Sequence, residues 1–301
     1  MEPVFLTPYI EEKVWGGNLL HILYGKISKK GSKIGESWEV SAFSDKQSIV
    51  RNGEFVSMSL SQFYGDHHDL FGMDSPEFPF IIKLIDAKLS LSVQVHEKDS
   101  DSRNGKCEAW VVLDATPGAK IVLGANIKTQ QQLKASIEEG VLEEYLNYVD
   151  VKPGDVFFIP PGTIHAIGAG ILLYEIQQPS DVTYRLHDPS GNRELHIEQG
   201  CGAYHYYAPY RKVVPKDLGN GSFLLLDCEH FMVEKINADD FAIQTDMDHF
   251  SVYTALAKGK IVKPNQEISY DKGDTFIIPV GFGEFMLSGG TLLKAYYPGG
   301  R

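Results

Sequence analysis

KPGDVFFIPPGTIHAIGAG, residues 152–170, decides how this chain folds. Gly154 and Asp155 are turn formers, and Val156–Ile159 is a short apolar run of β-branched and aromatic residues, the composition of a strand. Pro160-Pro161-Gly162 then interrupts the ladder, because two consecutive residues lack a backbone donor and the third accepts positive φ. His165 follows on what should be the next strand. A turn, a strand, a Pro-Gly corner and a second strand bearing a histidine is a way for a small β-barrel to point one imidazole into its mouth. Alone, His165 reads as a half-buried histidine satisfied by a hydrogen bond; the residues that surround it in the pattern change that reading.

A second copy of the stretch lies downstream. Gly273-Asp274-Thr275-Phe276-Ile277-Ile278-Pro279-Val280-Gly281 matches residues 154–162 at six of nine positions, all at one offset. That offset puts Glu284 where His165 stands, with no histidine partners near it. One barrel design used twice, with a site retained only in the first copy, is the expectation. From about Ala208 onward short strands alternate with turns (223–226, 231–236, 241–244, 250–257, 275–278 and 291–297), as in a sandwich or barrel. The predicted architecture is mostly β, two jelly-roll-like barrels with a small helical patch: residues 1–207 for the barrel with the site, 208–301 for its degenerate counterpart.

Between the N-terminus and the deciding stretch, 80–85 and 89–95 read as strands joined by a polar turn at 86–88. The second alternates: Leu89, Leu91, Val93 and Val95 on one face, Ser90, Ser92, Gln94 and His96 on the other. That polar row carries no charge, unlike most solvated rows. Glu108-Ala109-Trp110-Val111-Val112-Leu113-Asp114 is a further strand, with Lys106 just before it. In 34–41, Glu36 and Glu39 fall on opposite faces, so at most one looks inward. A short capped helix is expected over 59–71, with His67 and His68 as surface residues rather than ligands, and a longer one over 129–148 from Leu133, Ile137, Val141, Leu142 and Tyr145, with Thr129 as N-cap. A strand at Ile171–Gln177 precedes Asp181-Val182-Thr183-Tyr184-Arg185-Leu186-His187-Asp188, where Arg185 is either functional or a structural partner of Asp181 or Asp188.

If the first half closes into a barrel, Gln94 Oε1, His96 Nε2, the Glu108 carboxylate and His165 Nε2 converge. Two imidazoles, one carboxylate and an amide oxygen suit a borderline divalent ion, zinc first. The neutral amide in place of a third histidine favours Lewis-acid over redox chemistry. A net charge of −12, from 28 Lys and Arg against 40 Asp and Glu, argues against nucleic acid as partner. No apolar run approaches a membrane span and the N-terminus lacks the layout of a signal peptide. Three widely spaced cysteines without a CxxC fit a reducing cytoplasm.

SVQVH, GKCEAW, PPGTIHAIG and DVTYRLHD, in this order and extended by VWGG, IGESWEVS and IIKLIDA, resemble the signature segments of type I phosphomannose isomerases, a family of the cupin superfamily. The resemblance implies a bicupin fold and one zinc ion held by Gln94, His96, Glu108 and His165. It implies a catalytic arginine at Arg185, a site lysine at Lys106, and interconversion of D-mannose 6-phosphate and D-fructose 6-phosphate through a cis-enediol. The length matches the short bacterial form. Glu108 follows His96 by twelve residues, more than the general cupin spacing, so its place at the metal rests on the family motif. Lys106 would carry the proton if metal charge lowers its pKa. A sugar-phosphate-binding protein without activity and an iron-dependent dioxygenase are the rival readings, the first opposed by Lys106 and Arg185, the second by Gln94. Monomer and homodimer fit the sequence equally.

Overall fold

In the computed structural model, which describes residues 2–28, 31, 33–100, 105–238, 241–243 and 248–299, Val156–Ile159 is a strand buried at all four positions. It is apolar throughout because both its faces are covered. Phe157 and Ile159 point into one hydrophobic cluster, Val156 and Phe158 into another.

Those two clusters are part of a layered stack. A seven-stranded sheet runs in the order Arg211–Val213, Val156–Ile159, Glu108–Ala115, Ile171–Gln177, Ile81–Ala87, Tyr9–Gly17, Ile34–Val40. Its inner face packs on a five-stranded sheet ordered Leu146–Asp150, Lys120–Ala125, His165–Ile167, Val93–Val95, Tyr184–His187. Between them lie Trp110, Val112, Ile121, Leu123, Phe157, Ile159 and Leu173, the core of the first barrel. The outer face of the five-stranded sheet is covered by the helical patch, where Leu133, Leu142 and Cys201 meet Val93, Val95 and Leu186.

The other face of the seven-stranded sheet meets an eight-stranded sheet, with Ile82, Leu84, Val111, Leu172 and Tyr174 in one cluster with Leu225, Val233, Val252, Ile277 and Leu293. That sheet in turn packs on a four-stranded one around Tyr253, Phe276, Ile261 and Leu287. The result is the cupin double barrel. Val4–Thr7 and Ile49–Val50 are hydrogen-bonded into the eight-stranded sheet next to Thr275–Ile278.

The repeat holds at the level of single hydrogen bonds. Asp155 and Asp274 each accept from the backbone N–H three residues earlier, Lys152 and Asp271. Gly154 N donates to Val112 O, and Gly273 N to Ala255 O, both at 2.8 Å. Thr163 N and Phe282 N close the two corners onto Pro160 O and Pro279 O, both at 3.3 Å. Gly154, Gly162, Gly273 and Gly281 all have positive φ.

Two elements depart from the sequence expectation. The helix over 129–148 stops at Glu138: Gly140, at φ +72°, ends it as left-handed glycines do. Leu142–Tyr145 is a 3₁₀ turn and Leu146–Asp150 a strand, so the apolar spacing was shared among three elements facing one core. The strand over 89–95 narrows to Val93–Val95, and Leu91 packs into the first barrel's inner core while Val93 and Val95 face the helices. The helix at Leu60–Asp66 is capped by the Ser59 hydroxyl as expected, but His67 and His68 are half-buried, against the rings of Phe55 and Tyr64. Glu39 is fully buried between the two barrels, paired with Lys26 at 2.7 Å and bonded by Thr275, whereas Glu36 stands opposite Ile85 on the first barrel's face of the sheet. Gln244, and residues 101–104 of the segment between His96 and Lys106, lie outside the described residues.

Candidate metal centre and active site

Register assembles the site. His165 stands opposite Gln94, and Gln94 opposite Arg185, across three adjacent strands of the five-stranded sheet. Directly opposed residues share a face, so all three belong to the inner one. On the seven-stranded sheet Glu108 stands opposite Ile159 and Gln177, and Trp110 opposite Phe157 and Glu175. Alternation along each strand then sends Glu108 and Trp110 inward while Ala109 and Val111 face the second barrel. The Pro-Gly corner braces the ligand strand directly, since Gly162 N donates to His96 O at 2.8 Å.

Three of the four predicted ligands form one buried group, His96, Glu108 and His165, with ligating atoms within 4.8 Å of one another. It is the only such group among the described residues. Glu108 Oε1 lies 3.1 Å from His165 Nε2, and Oε2 lies 3.6 Å from His96 Nε2. Each imidazole donates its other nitrogen's proton to a carbonyl: His96 Nδ1 to Val182 O and His165 Nδ1 to Thr163 O, both at 2.9 Å. With the tautomers set in this way, both Nε2 atoms turn a lone pair toward the carboxylate. Neither oxygen of Glu108 has a hydrogen-bond partner of acceptable geometry. The group is 0–1% exposed, and its donor set, two imidazoles and a carboxylate within reach of one another, fits a divalent ion. Gln94 reaches the same place, its amide nitrogen 3.2 Å from His165 Nε2. Rotating that amide exchanges nitrogen for oxygen and turns Oε1 toward the group as a fourth ligand.

Lys106 supplies the positive charge nearest the group. Its Nζ is 3.0 Å from Glu108 Oε2 and 3.3 Å from His96 Nε2. Burial opposes its charge, but Glu108 and Glu175 outweigh burial and raise its pKa above the ordinary lysine value. Burial likewise opposes ionisation of Glu108, yet the Lys106 ammonium holds its carboxyl well below the usual range. Burial first, and then Lys106, push His96 well down.

Arg185 pairs with neither Asp181 nor Asp188. Its Nη1 donates to Glu194 O at 2.8 Å, and its Nε has no partner. Asp181 instead takes Lys46 at 2.8 Å, and Asp188 takes Arg193 at 2.6 Å. Both structural roles left open for the arginine are therefore filled by other residues.

A polar cluster that the sequence reading passed over continues the site. Lys83 is buried at 3.3 Å from Glu175 and donates to Gln177 Oε1 at 2.7 Å. Glu175 also accepts from Trp110 Nε1 at 2.8 Å, and the Trp110 ring meets His165 edge-on. The available signal was Lys83 and Glu175, charges inside two strands that are mostly apolar, IIKLIDA and ILLYEIQ. Charges in such places are paired or functional. Beside the site a cavity of about 870 Å³ is lined by Ser180, Asp181 and Val182 together with Phe43, Met73 and His230. It reaches the backbone that orients His96, and none of the four ligands lines it.

The second barrel has no counterpart of this chemistry among its described residues. Register places Ser251 opposite Ile278 as Glu108 is opposite Ile159, and Glu284 is exposed. Glu284→Ala is expected to leave turnover within about threefold of the parent, as an exposed side chain remote from the reacting groups should. A large loss of kcat, or metal bound in this half through Glu284, would contradict the degenerate-copy reading.

Fold and site together define a cupin-type protein whose first barrel carries a metal-competent His–Glu–His group. Residues 4–116 match the model of the phosphomannose isomerase type I catalytic domain. The chain is 35% identical over 305 residues to a mannose-6-phosphate isomerase of Bacillus subtilis, covering 96% of each. It is 34% identical to one from Streptococcus mutans, covering 92% of each. A crystal structure of the Bacillus subtilis mannose 6-phosphate isomerase superimposes with a TM-score of 0.89 at 29% identity, over 98% of this chain and 99% of that one. This chain belongs to the type I phosphomannose isomerase family and is an enzyme of that family.

Proposed function

We propose that the chain interconverts D-mannose 6-phosphate and D-fructose 6-phosphate, using one zinc ion held by Gln94, His96, Glu108 and His165. The observation that supports the metal is the buried group of His96, Glu108 and His165, its ligating atoms within 4.8 Å of one another and both imidazoles oriented by backbone carbonyls. The substrate rests on family membership and on the names of the relatives. In this reading residues 1–207 supply the barrel with the site, save Val4–Thr7 and Ile49–Val50, which join the second barrel's sheet, and residues 208–301 supply a barrel without one, save Arg211–Val213, which joins the first barrel's sheet.

Aldose–ketose isomerisation needs an opened sugar chain and a proton moved between C2 and C1 through a cis-enediol. Bound zinc supplies Lewis acidity toward the sugar oxygens. Glu108 and the two histidines are poor bases while they serve as ligands, which leaves Lys106 as the proton carrier. Once Glu108 is engaged as a ligand, the first of the carboxylates that hold up the pKa of Lys106 is neutralised and only Glu175 and Asp181 remain. Burial then weighs more heavily toward the neutral amine that a base requires. Arg185, on the ligand face and without a carboxylate partner among the described residues, is a fixed cation for negative charge developing on O1 or O2.

The test is a coupled assay with mannose 6-phosphate before and after chelation. Turnover should fall to background on chelation and return on addition of zinc alone. Turnover that survives complete metal removal would refute the metal-dependent reading, and no turnover in the metal-loaded protein would refute the substrate.

A further inference from the structure

Arg185 is kept in place by a loop, and the loop is kept in shape by one carboxylate. Residues 188–196 leave the Tyr184–His187 strand and fold back beside it. Glu194 O accepts from Arg185 Nη1 at 2.8 Å, His196 Nδ1 accepts from Arg185 N at 3.0 Å, and His196 N returns a bond to Arg185 O at 2.8 Å. At the start of the loop Asp188 is buried and receives five hydrogen bonds. Ser190 Oγ (2.6 Å), Asn192 N (3.1 Å) and Arg193 N (3.0 Å) reach Oδ2. Arg193 Nε (3.1 Å) and Nη2 (2.6 Å) reach Oδ1. Gly191, at φ +67°, allows the turn that brings these donors together.

The arrangement does more than close a turn. Burial first, and then the positive charge of Arg193, lower the pKa of Arg185, while Asp188 and Glu194 act against them. Asp188 engages Arg193 through two of its nitrogens and so offsets that charge. No carboxylate pairs with Arg185 itself among the described residues. Its guanidinium is held by the Glu194 carbonyl and its backbone by the His196 ring, both presented by the loop.

We propose that Asp188 is a positioning residue for Arg185, shaping the 188–196 loop and holding Arg193 so that the Arg185 guanidinium stays aimed into the site. This rests on the catalytic reading of Arg185 above. A misplacement of about 1 Å in a group that acts only in the transition state can cost up to 10²-fold in rate, so a loop two bonds removed from the substrate can matter to kcat.

The experiment is a double-mutant cycle on the full-length, metal-loaded enzyme: parent, Asp188→Asn, Arg185→Ala and the double variant. Kinetics with mannose 6-phosphate, metal content and melting temperature are measured for each. Asn keeps the shape and one acceptor oxygen but loses the charge that binds Arg193. Asp188→Asn should lower kcat about tenfold with KM and metal content little changed. In the Arg185→Ala background the same substitution should cost less than about twofold, because the residue it positions is absent. A tenfold loss in both backgrounds, or a parental kcat for Asp188→Asn, would overturn the proposal. Arg185→Ala with full kcat would instead refute the catalytic reading of Arg185 and the positioning role with it. If Asp188→Asn does not fold, Arg193→Ala breaks the same pair from its other end and is carried through the same cycle.

Discussion

Arg185→Ala should lower kcat by roughly 10²–10³-fold, the loss expected when a strong donor to a developing oxyanion is removed. KM and metal content should change little, because a group complementary to charge that exists only at the enediolate acts on the chemical step. The fold should tolerate the change. Arg185 makes no ion pair among the described residues, and the side-chain bond it loses is to an exposed carbonyl, Glu194 O, that water can satisfy. The stability cost is then about 1 kcal/mol, the net worth of one hydrogen bond. Arg185→Lys should recover only part of the rate, since an ammonium keeps the charge without the planar fork. If Arg185 grips the ground-state phosphate instead, KM would rise steeply and kcat would survive at saturating substrate. A variant that unfolds would mark the residue as structural, against the absence of an acidic partner. Steady-state kinetics and one melting curve separate these outcomes, and an unchanged kcat would end the catalytic assignment.

His165→Ala should abolish both metal retention and turnover. The remaining ligands, His96, Glu108 and the neutral amide of Gln94, hold zinc poorly. The substitution also removes the imidazole 3.1 Å from Glu108 Oε1, leaving a buried carboxylate with Lys106 as its principal partner. Metal content of protein purified without added metal should be about one zinc ion per chain in the parent and near zero in the variant. Because an ion that binds only the folded state raises stability by mass action, zinc should raise the melting temperature of the parent and leave that of His165→Ala unmoved. Full occupancy and full activity in the variant would show that the metal lies elsewhere.

Much of this was legible in the chain itself, for a physical reason. Period-2 alternation decides which side chains share a face of a strand, so Gln94 and His96 were paired from spacing alone, even though the strand that carries them proved shorter than the alternation suggested. Glycines, prolines and aspartates impose backbone geometry locally, so the Gly-Asp turn and the Pro-Gly corner were readable twice over, and the two copies agree bond for bond. Local order does not report where a helix must give way to a core shared with its neighbours, which is why 129–148 was read as one element.

What only the tertiary structure decided is what meets across strands distant in sequence. Lys83 and Glu175 stand directly opposite each other although 92 residues apart, and each looked like an isolated charge in an apolar strand. The arrival of Glu108 between two imidazoles rested on a family motif until the register of two sheets placed it there. For Arg185 the sequence left a structural pair open, and among the described residues Lys46 and Arg193 take the two carboxylates that would have formed it. Residue types and their spacing determine which groups this protein can bring to a site. Strand register and sheet stacking determine which of them face one another, because an ion pair or a metal ligand is selected by a few ångströms of distance that no single strand contains.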